Sequence, residues 1–109
     1  MKQPQVRERT REKMFDAFFK EYKENTLRGV TVGAVSRRAN VNRSTFYEYF
    51  TDIYDLIDQA EDSLLTEMLS RIMQLQKEGF NEQRQQLMVY GEEIINEYGE
   101  RLAILLGHG

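Results

Sequence analysis

The stretch TVGAVSRRANVNRSTFYEYF, which runs from Thr31 to Phe50, decides the fold of this chain. Thr31 is a good N-cap for a short helix, and Asn42 is a good N-cap for a second one. Asn40 lies between them, where a tight turn often needs a positive φ angle that asparagine tolerates. The stretch therefore predicts two short helices joined by a turn of three or four residues.

Amphipathic helices are predicted on both sides of this stretch. The first runs from Val6 to about Asn25, a residue that tolerates the left-handed conformation at a helix end, and Gly29 then frees the connecting loop to turn. Thr51 and Asp52 can cap a long fourth helix. Its apolar stripe is Ile53, Leu56, Ile57, Ala60, Leu64, Met68, Ile72 and Leu75.

The C-terminal part is predicted to form one or two further helices. Gly79 breaks the apolar pattern, and Asn81 can cap a fifth helix. We expect Gly99 to end that helix and the apolar run at residues 102–106 to begin a sixth. The apolar face of the fifth helix would carry Leu87, Tyr90, Gly91, Ile94 and Tyr98.

Composition agrees with an all-α fold. The only proline of the 109 residues is Pro4, so no proline ring interrupts a helix after it. The prediction is a three-helix domain at residues 1–50, followed at residues 51–109 by a connecting helix and a partial regulatory or dimerisation region.

Several function classes find no support in the composition. The chain has no cysteine, and its only histidine, His108, lies between glycines at the terminus, so we predict neither an enzyme nor a metal or cofactor site. The acidic residues at positions 52–62 are expected to form a solvated helix face. The N-terminus lacks the apolar core of a signal peptide and no run is long enough to span a membrane, which predicts a cytoplasmic protein.

Charge is divided unequally along the chain. The net charge is −3, but residues 1–50 hold 11 basic and 6 acidic residues, whereas residues 51–109 hold 4 and 12. A positive N-terminal half is typical of a module that binds nucleic acid through phosphate contacts. The alternative is that these charges are solvated helix faces.

The second short helix predicts a nucleic-acid contact surface. A structural surface helix more usually carries Glu and Lys pairs. This one instead presents hydrogen-bonding side chains on the side opposite Phe46 and Phe50, with Arg43 at the N-terminal end, where a recognition helix reaches base edges. The predicted contact residues are Thr31, Arg43, Ser44, Thr45, Tyr47 and Tyr49. The alternative for the two tyrosines is that they are amphipathic residues covering the edges of the core.

The same stretch resembles the signature of the TetR family of bacterial transcriptional regulators. The family pattern has a threonine, a short helix that ends in alanine, a turn, and then Thr-(Leu/Phe)-Tyr-x-(His/Tyr)-Phe. Here Thr45, Phe46, Tyr47, Tyr49 and Phe50 fall in that register. The resemblance covers about residues 7–60.

The resemblance implies a role for each matching residue. Thr31, Thr45, Tyr47 and Tyr49 would contact phosphates, Arg43 and Ser44 would lie nearest the bases, and Phe46 and Phe50 would be core residues. Two positions depart from the pattern: Asn40 stands for the usual turn glycine, and Ile53 stands where the family commonly has a phosphate-binding lysine.

The expected partner is therefore a double-stranded DNA operator, bound by a homodimer of a transcriptional regulator that is most simply a repressor. Family members usually continue through more helices that form a ligand pocket, so we expect a small-molecule effector only in a longer form. The apolar residues that could line part of a pocket are more often core: Met68, Met73, Leu87, Met88, Tyr90 and Tyr98. The alternative function is a helical protein-interaction module that does not bind DNA.

Overall fold

The computed structural model describes residues 4–77 and 84–107, and their regular secondary structure is entirely helical, which confirms the all-α prediction. The helices are α1 (Pro4–Asn25), α2 (Val32–Arg38), α3 (Arg43–Tyr49), α4 (Ile53–Lys77) and α5 (Arg84–Gly107). The chain divides into two compact units, Met1–Asp58 and Gln59–Gly109, and the boundary between them falls within α4. None of the helices in the described ranges combines the length and the apolar character needed to cross a membrane.

An aromatic core holds the first unit together. The Phe50 ring lies 5.3 Å from Phe46 and 5.7 Å from Phe15, measured between centroids, and all three side chains are buried. These are the tilted arrangements that aromatic rings prefer, so the core fixes α3 against α1 through specific contacts as well as burial. Other buried apolar residues of this unit are Met14, Ala17, Phe18, Phe19, Val30, Val35, Ala39, Leu56 and Ile57.

Helix α1 ends at Asn25 as predicted, but the left-handed residue is the next one, Thr26, with φ 60°. The Thr26 N–H donates to the Tyr22 carbonyl over 2.8 Å, which completes the last turn and places the conformational change one residue later. Gly29 belongs to a 3₁₀ turn, Leu27–Gly29, and a Cβ atom there would clash with Asn25 Cβ. Glycine is therefore required at position 29 by this close approach.

Helix α4 begins after the predicted cap. Asp52 Oδ1 accepts a hydrogen bond from the Asp55 N–H over 2.8 Å, and Asp55 Oδ2 accepts one from the Thr51 N–H over 2.8 Å. This reciprocal pattern satisfies two backbone donors at the helix start. The predicted stripe is buried at Leu56, Ile57, Ala60 and Leu64, whereas Met68 is half-buried and Ile72 is exposed.

The second unit corrects the prediction of a sixth helix. Helix α5 continues through Gly99 to Gly107, so Gly99 does not end it. A glycine inside a helix costs only about 1 kcal/mol relative to alanine, and burial of Tyr98 and Leu105 on both sides of it offsets that cost. Arg71 of α4 pairs with Glu97 of α5 over 2.9 Å.

Some predicted features lie outside the described residues. They are the helix break at Gly79, the cap at Asn81, the terminal His108, and the side chains of Leu75, Leu87, Met88 and Tyr90.

Candidate nucleic-acid interface

Helix α2 begins at the predicted cap. Thr31 has extended backbone angles, φ −126° and ψ 162°, and its Oγ1 atom accepts a hydrogen bond from the Ala34 N–H over 3.0 Å. Thr31 is exposed, so its side chain lies at the surface at the start of the helix.

The turn between α2 and α3 is held by backbone hydrogen bonds. Asn40 has φ 60°, as predicted for the turn residue, and its N–H donates to the Arg37 carbonyl over 3.1 Å. The Val41 N–H donates to the Ser36 carbonyl over 2.9 Å. These bonds fix the direction in which α3 leaves α2, and α2 packs against both α1 and α3.

One oxygen atom organises the start of α3. Asn42 Oδ1 accepts the Thr45 N–H over 2.9 Å, which is the N-cap bond that the sequence predicts. It also lies 2.7 Å from Ser44 Oγ and 3.0 Å from Thr45 Oγ1. Because an amide oxygen can only accept, both hydroxyl groups donate their protons to it. Ser44 is exposed and Thr45 is half-buried.

Arg43 is exposed and opens α3, and its guanidinium lies against the first turn of α2. A Cβ atom at Gly33 would lie 2.9 Å from Arg43 Nη2, well inside normal contact distance. The space that Gly33 leaves is therefore occupied by the end of the Arg43 side chain. The sequence alone does not reveal this role of Gly33, and the only signal it offers is a glycine inside a short helix.

The two tyrosines of α3 differ in exposure. Tyr47 is 54% exposed, and its ring meets the buried Phe46 ring edge-on, at 83° and 5.4 Å between centroids. The sequence predicts Tyr49 on the same exposed side, but in the structure Tyr49 is half-buried and its hydroxyl oxygen is covered. The Arg7 guanidinium carbon lies 4.7 Å from the centroid of the Tyr49 ring.

An ionic clamp fixes α2 on α1. Arg38 donates from Nε to Glu21 and from Nη2 to Glu24, both over 2.8 Å, and Asn25 donates to the second Glu21 oxygen over 3.0 Å. The hydrogen bond from Arg38 is the largest cause that lowers the pKa of Glu21 below its ordinary value, against the opposing effect of burial. The clamp went unpredicted because its partners are 17 and 14 residues apart and only the fold brings them together.

The described residues offer little for a metal or a small molecule. Within residues 4–77 and 84–107, no three His, Cys, Asp or Glu side chains converge on a point that could hold a metal ion. An open surface groove on α4 is lined by Ser70, Met73, Gln74 and Lys77. Tyr98, one of the residues considered for a pocket, is instead buried.

The chain matches one family model, described as bacterial regulatory proteins, tetR family, over residues 15–60. That segment begins in α1, contains the whole of α2, the turn and α3, and ends in α4. No curated protein and no solved structure gives a significant match. The chain therefore carries the DNA-binding helix-turn-helix domain of the TetR family of bacterial regulatory proteins, in residues 15–60.

Proposed function

We propose that this protein is a sequence-specific transcriptional repressor that inserts α3 into the major groove of an operator, and that it acts in the bacterial cytoplasm. Residues 1–50 would be the DNA-binding domain, and residues 51–109 would be the connecting helix and part of a regulatory or dimerisation region. The proposed interface consists of Thr31, Arg43, Ser44, Thr45, Tyr47 and Tyr49.

The observation that carries the proposal is the two-sided character of α3. One side is anchored by Phe46 and Phe50, which are 0% and 1% exposed, so their packing in the core fixes the position of the helix. The other side presents Arg43, Ser44 and Tyr47 to solvent. A rigid helix with exposed hydrogen-bonding groups is what direct readout of base edges requires.

The proposal includes a homodimer. Helix α3 has seven residues, and one such helix contacts only a few base pairs. Two-fold symmetric proteins extend the site by reading two half-sites about 34 Å apart, one turn of the double helix. The operator would accordingly be a pseudo-palindrome protected over both half-sites.

The test begins with selection of an operator from a pool of random duplexes by the 109-residue chain. Replacing both Arg43 and Tyr47 by alanine removes two exposed proposed contacts of α3, and we expect affinity for the selected operator to fall at least tenfold, towards the level for random DNA. The circular dichroism spectrum of the double variant should remain that of a helical protein, because neither side chain is buried. Binding is measured by fluorescence anisotropy at physiological salt.

The matched control is Lys77→Ala, which removes one positive charge from the last turn of α4. It should leave operator affinity within about twofold of the wild type, because an exposed charge outside the proposed interface acts only through screened electrostatics. If the double variant binds the operator as tightly as the wild type, the assignment of α3 is wrong. If the wild type shows no salt-dependent binding to any duplex, the chain is a helical protein-interaction module instead.

A further inference from the structure

Arg7 and Tyr49 meet although they are far apart in sequence. Arg7 lies in the first turn of α1 and Tyr49 ends α3, and the guanidinium carbon is 4.7 Å from the ring centroid. This is a cation–π distance, at which the ring face attracts the positive charge. The contact holds an arginine of α1 beside the C-terminal end of α3.

The charge of Arg7 is available to an external anion. Its sequence neighbour Glu8 is paired with Arg11, whose Nη1 lies 3.2 Å from Glu8 Oε1. Among residues 4–77 and 84–107, no carboxylate forms an ion pair with Arg7, and the Arg7 side chain is exposed. An aromatic ring orients a guanidinium without neutralising it, so the charge stays free for an oxyanion.

The position of this charge suits the DNA backbone. If α3 lies in the major groove, as proposed above, the phosphates border the groove and come closest to the ends of the helix. We propose that Arg7 is a phosphate-binding residue held in place by the ring of Tyr49. This inference rests on the proposed function and assigns Tyr49 a supporting role through its ring, in keeping with its covered hydroxyl.

The experiment measures the salt dependence of binding to a duplex of random sequence, because phosphate contacts do not depend on base sequence. The variants are Arg7→Gln and, as the matched control, Arg9→Gln. Arg9 is exposed and carries the same charge, but two residues further along a helix it lies about 200° away around the axis. Both variants lower the net charge equally, so the difference between their salt-dependence slopes reports the contact between Arg7 and a phosphate.

Loss of one phosphate contact should reduce the slope of log affinity against log salt by about one, and should weaken binding roughly eightfold at 0.1 M salt. We expect this change for Arg7→Gln and a clearly smaller one for Arg9→Gln. Equal slopes for the two variants would overturn the proposal, since Arg7 would then contribute only general charge. A wild-type chain without salt-dependent binding would instead refute the proposed function.

Two variants of Tyr49 test the role of the ring. Tyr49→Leu removes the ring and should reproduce the slope of Arg7→Gln, whereas Tyr49→Phe keeps the ring and should lower the slope less than Tyr49→Leu does. A Tyr49→Phe variant with the slope of Arg7→Gln would overturn the supporting role of the ring. Should Tyr49→Leu fail to fold, the comparison of Arg7→Gln with Arg9→Gln still decides the proposal.

Discussion

Replacement of Gly33 by alanine should separate stability from DNA recognition. The new Cβ would lie 2.9 Å from Arg43 Nη2, whereas carbon and nitrogen atoms in contact are about 3.5 Å apart. The guanidinium must therefore move by at least about 0.6 Å. Since it is the end of a flexible and exposed side chain, it can move without disturbing the core.

The free energy of unfolding should stay level or rise by up to about 1 kcal/mol, because alanine is the better helix former. DNA recognition should worsen, because a contact to a base edge tolerates an error of only about 0.5 Å. A misplaced bidentate contact forfeits about 1–3 kcal/mol of discrimination, or roughly 5- to 150-fold in affinity for the correct site. Affinity for random DNA should change little.

The assay combines thermal unfolding with anisotropy titrations on selected and random duplexes. The matched control is Gly91→Ala, because a Cβ atom at Gly91 of α5 meets nothing within 4 Å. It should give the helix-propensity gain without any change in DNA binding. In an Arg43→Ala background, Gly33→Ala should have no further effect on the selected site. An undiminished preference for the selected operator in Gly33→Ala would refute the reasoning.

Two further predictions concern the supports of the interface. Glu21→Gln should lower the melting temperature at neutral pH and flatten its pH dependence. The pKa of Glu21 is lowered in the folded state. The contribution of its carboxylate to the free energy of unfolding is therefore present above about pH 4.3 and is lost as pH falls through the lowered pKa. A wild type and variant with parallel melting curves from pH 3 to pH 7 would contradict this. Asn42→Ala should reduce the free energy of unfolding by about 1 kcal/mol by removing the N-cap bond to Thr45, measured by urea denaturation, whereas Asn42→Ser should recover most of it. Equal losses for both substitutions would show that capping is not the cause.

The features that sequence predicted correctly are local ones. The cap at Thr31, the cap at Asn42 and the positive φ of Asn40 all depend on interactions within about three residues. Side-chain chemistry alone determines such interactions, because the partner atoms are backbone groups whose positions the helix itself fixes. The helix-turn-helix could be predicted for this reason.

The features that sequence missed depend on tertiary packing. The sequence predicts a helix end at Gly99, but α5 continues past this residue because the burial of neighbouring side chains stabilises the helix. Tyr49 reads as an exposed residue of α3, but the N-terminal turn of α1 lies beside it. Arg38 carries no local signal of its clamp on Glu21, since helical periodicity cannot identify a partner on another helix.

The shared oxygen of Asn42 limits the hydrogen-bonding groups that the first turn of α3 would present to DNA in the proposed complex. Since Ser44 and Thr45 direct their protons inward, they turn only lone pairs outward. Lone pairs repel phosphate oxygens but attract the amino groups that cytosine and adenine expose in the major groove. A phosphate contact by Thr45, as the family resemblance implies, would first require its hydroxyl to rotate away from Asn42. If α3 enters the major groove as proposed, the intact cap would favour amino groups at this turn, next to an arginine suited to guanine.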